Sequence, residues 1–299
     1  MSKGAPRRSL FDPIAVELSD EEAGRLTERR SDRVRAAAEK LLDATGVDTR
    51  MPMLPETASE VLALANDPGA PMNRLERVVA ADAMLASRVL MVASSAAYAG
   101  TPVRTLGNAL QRLGVGTVRD ILYQSVLECH VFSAVDREWA MHERDHAVAV
   151  ATVSRTVCRL ARVELDLAFV CGLLHDLGRV VARSGAAQIE PAIRREVEHL
   201  VHTRLGSRIA GKWNLPQLVR DAMRRHHGFR GFGRAGDGYS QIGHIVAAAD
   251  VVCVHLGFGR PVEALDQTAQ GVIWALGLDP AQLVSAARCD LGRGVTQAA

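Results

Sequence analysis

Apolar residues recur at intervals of three and four along almost the whole chain, and no stretch sustains the period-two alternation of a half-buried strand. From residue 56 to residue 127 the pattern reads as a string of short helices. They carry in turn Val61, Leu62, Leu64 and Ala65; Leu75, Val78 and Val79; Leu85, Val89, Leu90, Val92 and Ala93; Leu106, Ala109, Leu110 and Leu113; and Val118, Ile121, Leu122, Val126 and Leu127. Asp82 and Thr105 stand where an N-cap side chain accepts a first-turn N–H. Asp67-Pro68-Gly69 and Gly114 read as stops, with Thr117 opening the next helix. The expectation is an all-α protein.

A second helical half begins near Asp136, with helices expected over 146–163, 166–182, 191–213 and 240–256, and a last amphipathic pair over 262–290. Asn214 is placed to cap a helix running to Arg225, with Pro216 tolerated in its first turn. Residues 228–239 form a glycine-rich stretch without apolar periodicity, and its Phe229–Arg234 segment is basic enough to serve as a lid or a partner contact. Near the start, residues 20–44 read as a helix with Ser19 and Glu22 as a capping box. Residues 45–55, with Gly46, Pro52 and Pro55, read as a linker. The expected organisation is an extension over 1–50, a main domain over 51–255 divided near 135 into two bundles, and C-terminal helices over 256–299 packed on the second bundle.

Composition narrows the function classes. With 299 residues and 48% hydrophobic content the chain can bury a sizeable core. Its 36 basic and 34 acidic residues nearly cancel, which argues against a protein built around a nucleic-acid backbone. Only 4% of residues are aromatic, too few for a base-stacking platform. No apolar run is long enough to span a bilayer, and the basic start is followed by Asp12, Glu17 and Asp20, so a cytoplasmic protein without a secretory signal is expected. Cys129, Cys158, Cys171, Cys253 and Cys289 are scattered in apolar surroundings and form no CxxC pair, so they read as small hydrophobes.

The chemistry lies in the histidines. His175-Asp176 sits inside Gly172–Gly178, an apolar run where both side chains are costly to bury unless paired or metal-bound. Around it in sequence are His146, His202, the pair His226-His227, and Asp250 in an otherwise apolar Ala247–Val252 stretch. Imidazole and carboxylate suit Fe, Mn or Zn, and a carboxylate can bridge two ions. A buried His-Asp hydrogen-bonded pair would leave the same trace, and His226-His227 at a helix end also complements the helix dipole. His199 weakens the case for His202, being on the same helix, and His244 and His255 read as surface or core-edge residues.

The order His146, His175-Asp176, Asp250 resembles the H…HD…D pattern of the HD superfamily of metal-dependent phosphohydrolases. Met53-Leu54-Pro55, Asp67-Pro68, Val89–Gly100, Arg112-Leu113-Gly114, Ala168–Gly178 and Trp213-Asn214-Leu215-Pro216 narrow the resemblance to its HDOD family, over roughly residues 51–255. The resemblance implies an N-terminal helical bundle joined to an HD-like bundle that holds the site. It implies a regulatory signal-transduction module acting through binding of a signalling partner or a small nucleotide-like ligand; that no membrane or nucleic acid is the partner follows from the composition above. The alternative is a phosphohydrolase, with cyclic dinucleotides among the candidate substrates. Its centre would hold one or two divalent ions on His146, His175, Asp176, His202, His226, His227 and Asp250, with Arg179 contacting phosphate. His202, His226 and His227 stand where the related HD-GYP phosphodiesterases place extra ligands. The sequence departs from those enzymes at Arg179, where lysine is common, and at Gly238-Tyr239-Ser240, which is not their signature.

Overall fold

The computed structural model describes residues 20–46, 56–67, 69–95, 98, 100, 102–132, 135–227, 238–259 and 267–298. Among these every regular element is helical. The α-helices are α1 (Asp20–Gly46), α2 (Glu56–Asn66), α3 (Met72–Ala80), α4 (Ala83–Ala93), α5 (Leu106–Val126), α6 (Arg137–Ala161), α7 (Ala168–Leu174), α8 (Leu177–Gly185), α9 (Arg194–Lys212), α10 (Gln217–Arg225), α11 (Gly238–His255), α12 (Gln267–Ala275) and α13 (Pro280–Ala298). The all-α expectation holds among the described residues, where the apolar spacing is helical in one element after another. The proposed Ser19–Glu22 capping box and the segments 47–55 and 228–237 lie outside the described residues, or have side chains that do.

Local signals act as the sequence implies at two helix starts. Asp82 accepts from Met84 N and Leu85 N, and Thr105 from Asn108 N. Each such cap is worth about 1 kcal/mol. Gly114 has φ +72 and kinks α5, and helical residues resume directly after it rather than at Thr117. Three expectations are corrected. The helix carrying His146 begins at Arg137, capped by Asp136 on Trp139 N, so His146 lies in its third turn instead of opening it. The expected helix 166–182 is two, α7 and α8, broken by a turn at His175-Asp176. Asn214 does not cap α10; it takes φ +50 just past the end of α9, where the Leu215 N–H closes back on the Ala210 carbonyl, and Pro216 precedes α10 without a side-chain cap. That position favours glycine or asparagine for the left-handed turn that ends a helix.

The buried side chains form two clusters. One joins α2–α5 through Leu64, Leu75, Val79, Leu85, Val89, Leu110 and Leu122. The other is built on α6–α11, and α1 contributes Ala38, Leu41 and Leu42 to it. Within it α6 packs on α7, α11 and α13, α8 on α9, and α10 on α9 and α11. The α8–α9 contact is backbone on backbone: a Cβ on Gly178 would stand 1.9 Å from the His202 carbonyl oxygen. Glycine there lets the turn carrying Asp176 sit directly against the helix carrying His202. No helix among the described residues is long and apolar enough to cross a membrane. Cys158, Cys171 and Cys253 are buried as expected, whereas Cys289 is exposed.

Candidate metal centre

Five elements of the second half converge on one carboxylate. His146 comes from the middle of α6, His175 and Asp176 from the α7–α8 turn, His202 from α9, His226 and His227 from the end of α10, and Asp250 from α11. The break between α7 and α8 matters here. On a continuous helix His175 and Asp176 would diverge by about 100°, whereas the turn brings His175 Nε2 to 3.6 Å from Asp176 Oδ2.

Asp176 offers its two oxygens to two different sets of rings. His202 Nε2 and His226 Nε2 each lie 3.3 Å from Oδ1 and 3.3 Å from one another. On the other side His146 Nε2 lies 4.0 Å from Oδ2 and 3.3 Å from Asp250 Oδ1. His227 completes the first set, and its ring centroid is 4.2 Å from that of His226. Asp176, His202, His226 and His227 form one group able to hold an ion, and His146, His175 and Asp176 form a second. Asp250 adjoins the second through His146.

The far sides of four of these rings are committed to the main chain. His146 Nδ1 faces the Phe258 carbonyl at 3.1 Å, His175 Nδ1 that of Gly172 at 2.7 Å, His202 Nδ1 that of His199 at 2.6 Å, and His226 Nδ1 that of Ala222 at 3.1 Å. A carbonyl only accepts, so each Nδ1 carries the proton and each Nε2 is left to face the centre. This is the arrangement that orients metal-ligating imidazoles. The residues fit a metal on a second count. His175 Nε2 and Asp176 Oδ1 are buried without a hydrogen-bond partner, a costly state for polar atoms in a protein interior. Donors around an ion at about 2.0–2.1 Å stand about 3.3 Å apart in a tetrahedron, close to the spacing of the His202, His226 and Asp176 donors.

Electrostatics separates the candidate ligands. Burial holds His175 and His202 down to about 4, so both are neutral and have a lone pair available. Burial also works against charge on His146, but its hydrogen bond and charge pairing with Asp250, and the nearby Asp176 and Glu143, lift it to about 9. Burial opposes ionisation of Asp176 and Asp250 as well. The surrounding rings and Arg179 hold Asp176 below the usual carboxylate range, and His146 does the same for Asp250.

All seven ligand candidates named from the sequence are thus brought together. His202 is buried in the centre, while His199 is exposed at its rim. Arg179 also reaches the centre: it donates to Asp176 Oδ2 at 3.1 Å and pairs with Glu143 Oε1 at 3.0 Å. His244 is buried, not at the surface or core edge as expected. Sequence reasoning missed Glu143, three residues before His146, although its helical spacing places it one turn away on the same face. It also missed the Phe258 carbonyl, because a main-chain acceptor has no side-chain signature.

A sequence profile of the HDOD domain matches residues 51–229. The chain belongs to the HDOD domain family. An HDOD domain protein of unknown function from Geobacter sulfurreducens shares the fold at a TM-score of 0.64 and 20% identity, over 89% of this chain and 96% of that one. A protein from Shewanella amazonensis, provisionally described as a metal-dependent phosphohydrolase, does so at 0.65 and 18%, over 87% and 99%. A curated relative, an uncharacterized protein of Treponema pallidum (strain Nichols), is 25% identical over 238 residues; this HDOD chain spans 45% of that protein's length.

Proposed function

We propose that the HD-like half of this HDOD protein is a two-ion phosphohydrolase centre, the alternative weighed from the sequence. One observation carries the reading: Asp176 presents one oxygen to His202 and His226 and the other to His146 and His175, with each of these rings tied back through Nδ1. His202, His226, His227 and Asp176 would hold one ion; His146, His175, Asp176 and Asp250 would hold the other. Divalent ions bound there supply Lewis acidity toward a phosphoester oxygen. The chain's own part is to aim the Nε2 atoms, to keep His175 and His202 neutral, and to hold Asp176 and Asp250 ionised. The Shewanella relative's provisional description agrees with this reading.

A second reading is favoured by Arg179. Its guanidinium is already paired with Glu143 and Asp176, so a phosphate must compete with two carboxylates for it. A metal-holding centre that binds a nucleotide-like ligand or a signalling partner without turnover fits that pairing, and it matches the regulatory module expected from the family resemblance.

The test is the metal content of protein purified without chelator, wild type beside His175→Ala/Asp176→Ala, followed by hydrolysis assays on cyclic dinucleotides and other phosphoesters. Stoichiometric Fe, Mn or Zn, lost in the double variant, together with turnover supports the first reading. Metal without turnover moves the conclusion to the second. A folded, metal-free wild type that takes up none of these ions on addition overturns both.

A further inference from the structure

The turn that closes α11, Gly257-Phe258-Gly259, touches the centre without offering it a side chain. The Phe258 N–H closes back on the Cys253 carbonyl at 2.9 Å, which fixes the turn to the end of the helix carrying Asp250. The Phe258 carbonyl then accepts the His146 Nδ1–H at 3.1 Å. Both flanking glycines have positive φ, +92 at Gly257 and +108 at Gly259, where other residues are strained. Their surroundings differ. A Cβ on Gly257 would meet nothing within 4 Å, whereas a Cβ on Gly259 would stand 2.9 Å from His146 Nδ1 and 3.4 Å from its Cε1.

We propose that this turn is the positioning element for His146, with Gly259 the residue whose missing side chain lets the imidazole reach Asp250 and Asp176. One helix, α11, then serves the His146 side twice. It places Asp250 against Nε2, and its closing turn holds Nδ1. The ring is buried, so a Cβ at residue 259 cannot be accommodated by swinging the imidazole outward into water. It must push the ring toward the carboxylates or break the bond to Phe258. The set formed by His202, His226 and His227 has its own backbone anchors on α9 and α10 and is untouched by the turn. The consequence is a selective defect: residue 259 controls one side of the centre and not the other.

This inference rests on the two-ion reading, and its test separates the two. Full-length protein stripped of metal is titrated with Mn2+, comparing wild type, His146→Ala, Gly259→Ala and Gly257→Ala. Wild type and Gly257→Ala are expected to take up two ions per chain, and His146→Ala and Gly259→Ala one. Gly257→Ala carries similar backbone strain without the contact, so an equal loss in both glycine variants would assign the effect to strain and overturn the proposal. Two ions in Gly259→Ala overturn it as well. A wild type that binds fewer than two ions is a failure of the two-ion reading, and a metal-independent readout then decides the positioning claim. In the metal-free protein, NMR should show a His146 Nδ1–H protected from solvent exchange in wild type and Gly257→Ala and lost in Gly259→Ala. Its absence in wild type, or its survival in Gly259→Ala, overturns the proposal.

Discussion

The two halves of this molecule fill their interiors differently. The cluster joining α2–α5 is packed from aliphatic side chains, from Leu64 to Leu122, and Asp120 and Ser125 are the buried polar side chains of α5. The half built on α6–α11 buries His146, His175, His202, His226, His244, Glu198, Asp221 and Asp250. Apolar burial is worth about 25 cal/mol per Å2 and has no directional requirement. A buried ionisable group is costly unless its partners are in place. Both halves are held by apolar packing, and the second adds a buried centre of rings and carboxylates to its core. The largest expected effect follows from that contrast. Asp176→Ala should abolish binding at both sides of the centre, at least about a 100-fold loss of affinity, while circular dichroism still reports a folded chain. Retention of one full-affinity ion in metal titrations would break the idea that Asp176 is shared.

A core truncation in the apolar half should do the reverse. Leu110 is fully buried on α5, and Leu110→Ala should cost about 2–5 kcal/mol in urea unfolding. Metal stoichiometry should stay at the wild-type value wherever the protein is folded. A coupled loss of metal would show that the halves are not separable in this sense.

The sequence made the apolar half nearly transparent, because helix period and capping chemistry are local. Asp82 and Thr105 act two or three residues from themselves, and no tertiary context was needed to place them. The candidate ligand set was legible for a different reason: histidine and aspartate in apolar helices must find partners, and the order of those residues resembled one family. The break at His175-Asp176 was not legible, since Ala168–Ala182 keeps an apolar helical pattern through it. Asn214 misled because asparagine suits both the start and the end of a helix, and only φ +50 distinguishes them. Glu143 was readable as the i−3 neighbour of His146, whereas the Phe258 carbonyl became visible only once α6 and α11 were packed together.

Stability against pH should separate the halves next. In metal-free protein His175 and His202 have folded values near 4, below the ordinary 6.5. Their contributions are present above pH 6.5 and are lost as pH falls through 4. His146, raised to about 9, behaves oppositely: its contribution is present below 6.5 and lost as pH rises through 9. The melting temperature of stripped protein should therefore peak near pH 6.5 and fall on both sides, more steeply in acid, where His175 and His202 are joined by His227, which burial lowers to about 3. A fall on the order of 10 °C is expected toward pH 4. Hydrogen exchange should place the early loss in α6–α10 and not in α2–α5. A flat profile from pH 4 to 9 would mean that the rings are not held as the structure holds them.

The smallest effect expected is at α1. Arg30 pairs with Glu196 and also donates to the Ala192 carbonyl, and Arg33 pairs with Glu190. These ties look like the fastening of the N-terminal helix to α9, yet all four side chains are about half exposed. Exposed pairs are worth about 0–1 kcal/mol, because water already solvates both charges and holding two long side chains costs entropy. Ala38, Leu41 and Leu42 of the same helix are buried in the larger core. Arg30→Ala should then shift unfolding by less than about 1 kcal/mol, against about 2–5 kcal/mol for Leu41→Ala. Raising the salt concentration should weaken the first contact and leave the second unchanged. If Arg30→Ala proved the more damaging, α1 would be docked by charge, and the second half would depend on ion pairs at its surface as well as at its centre.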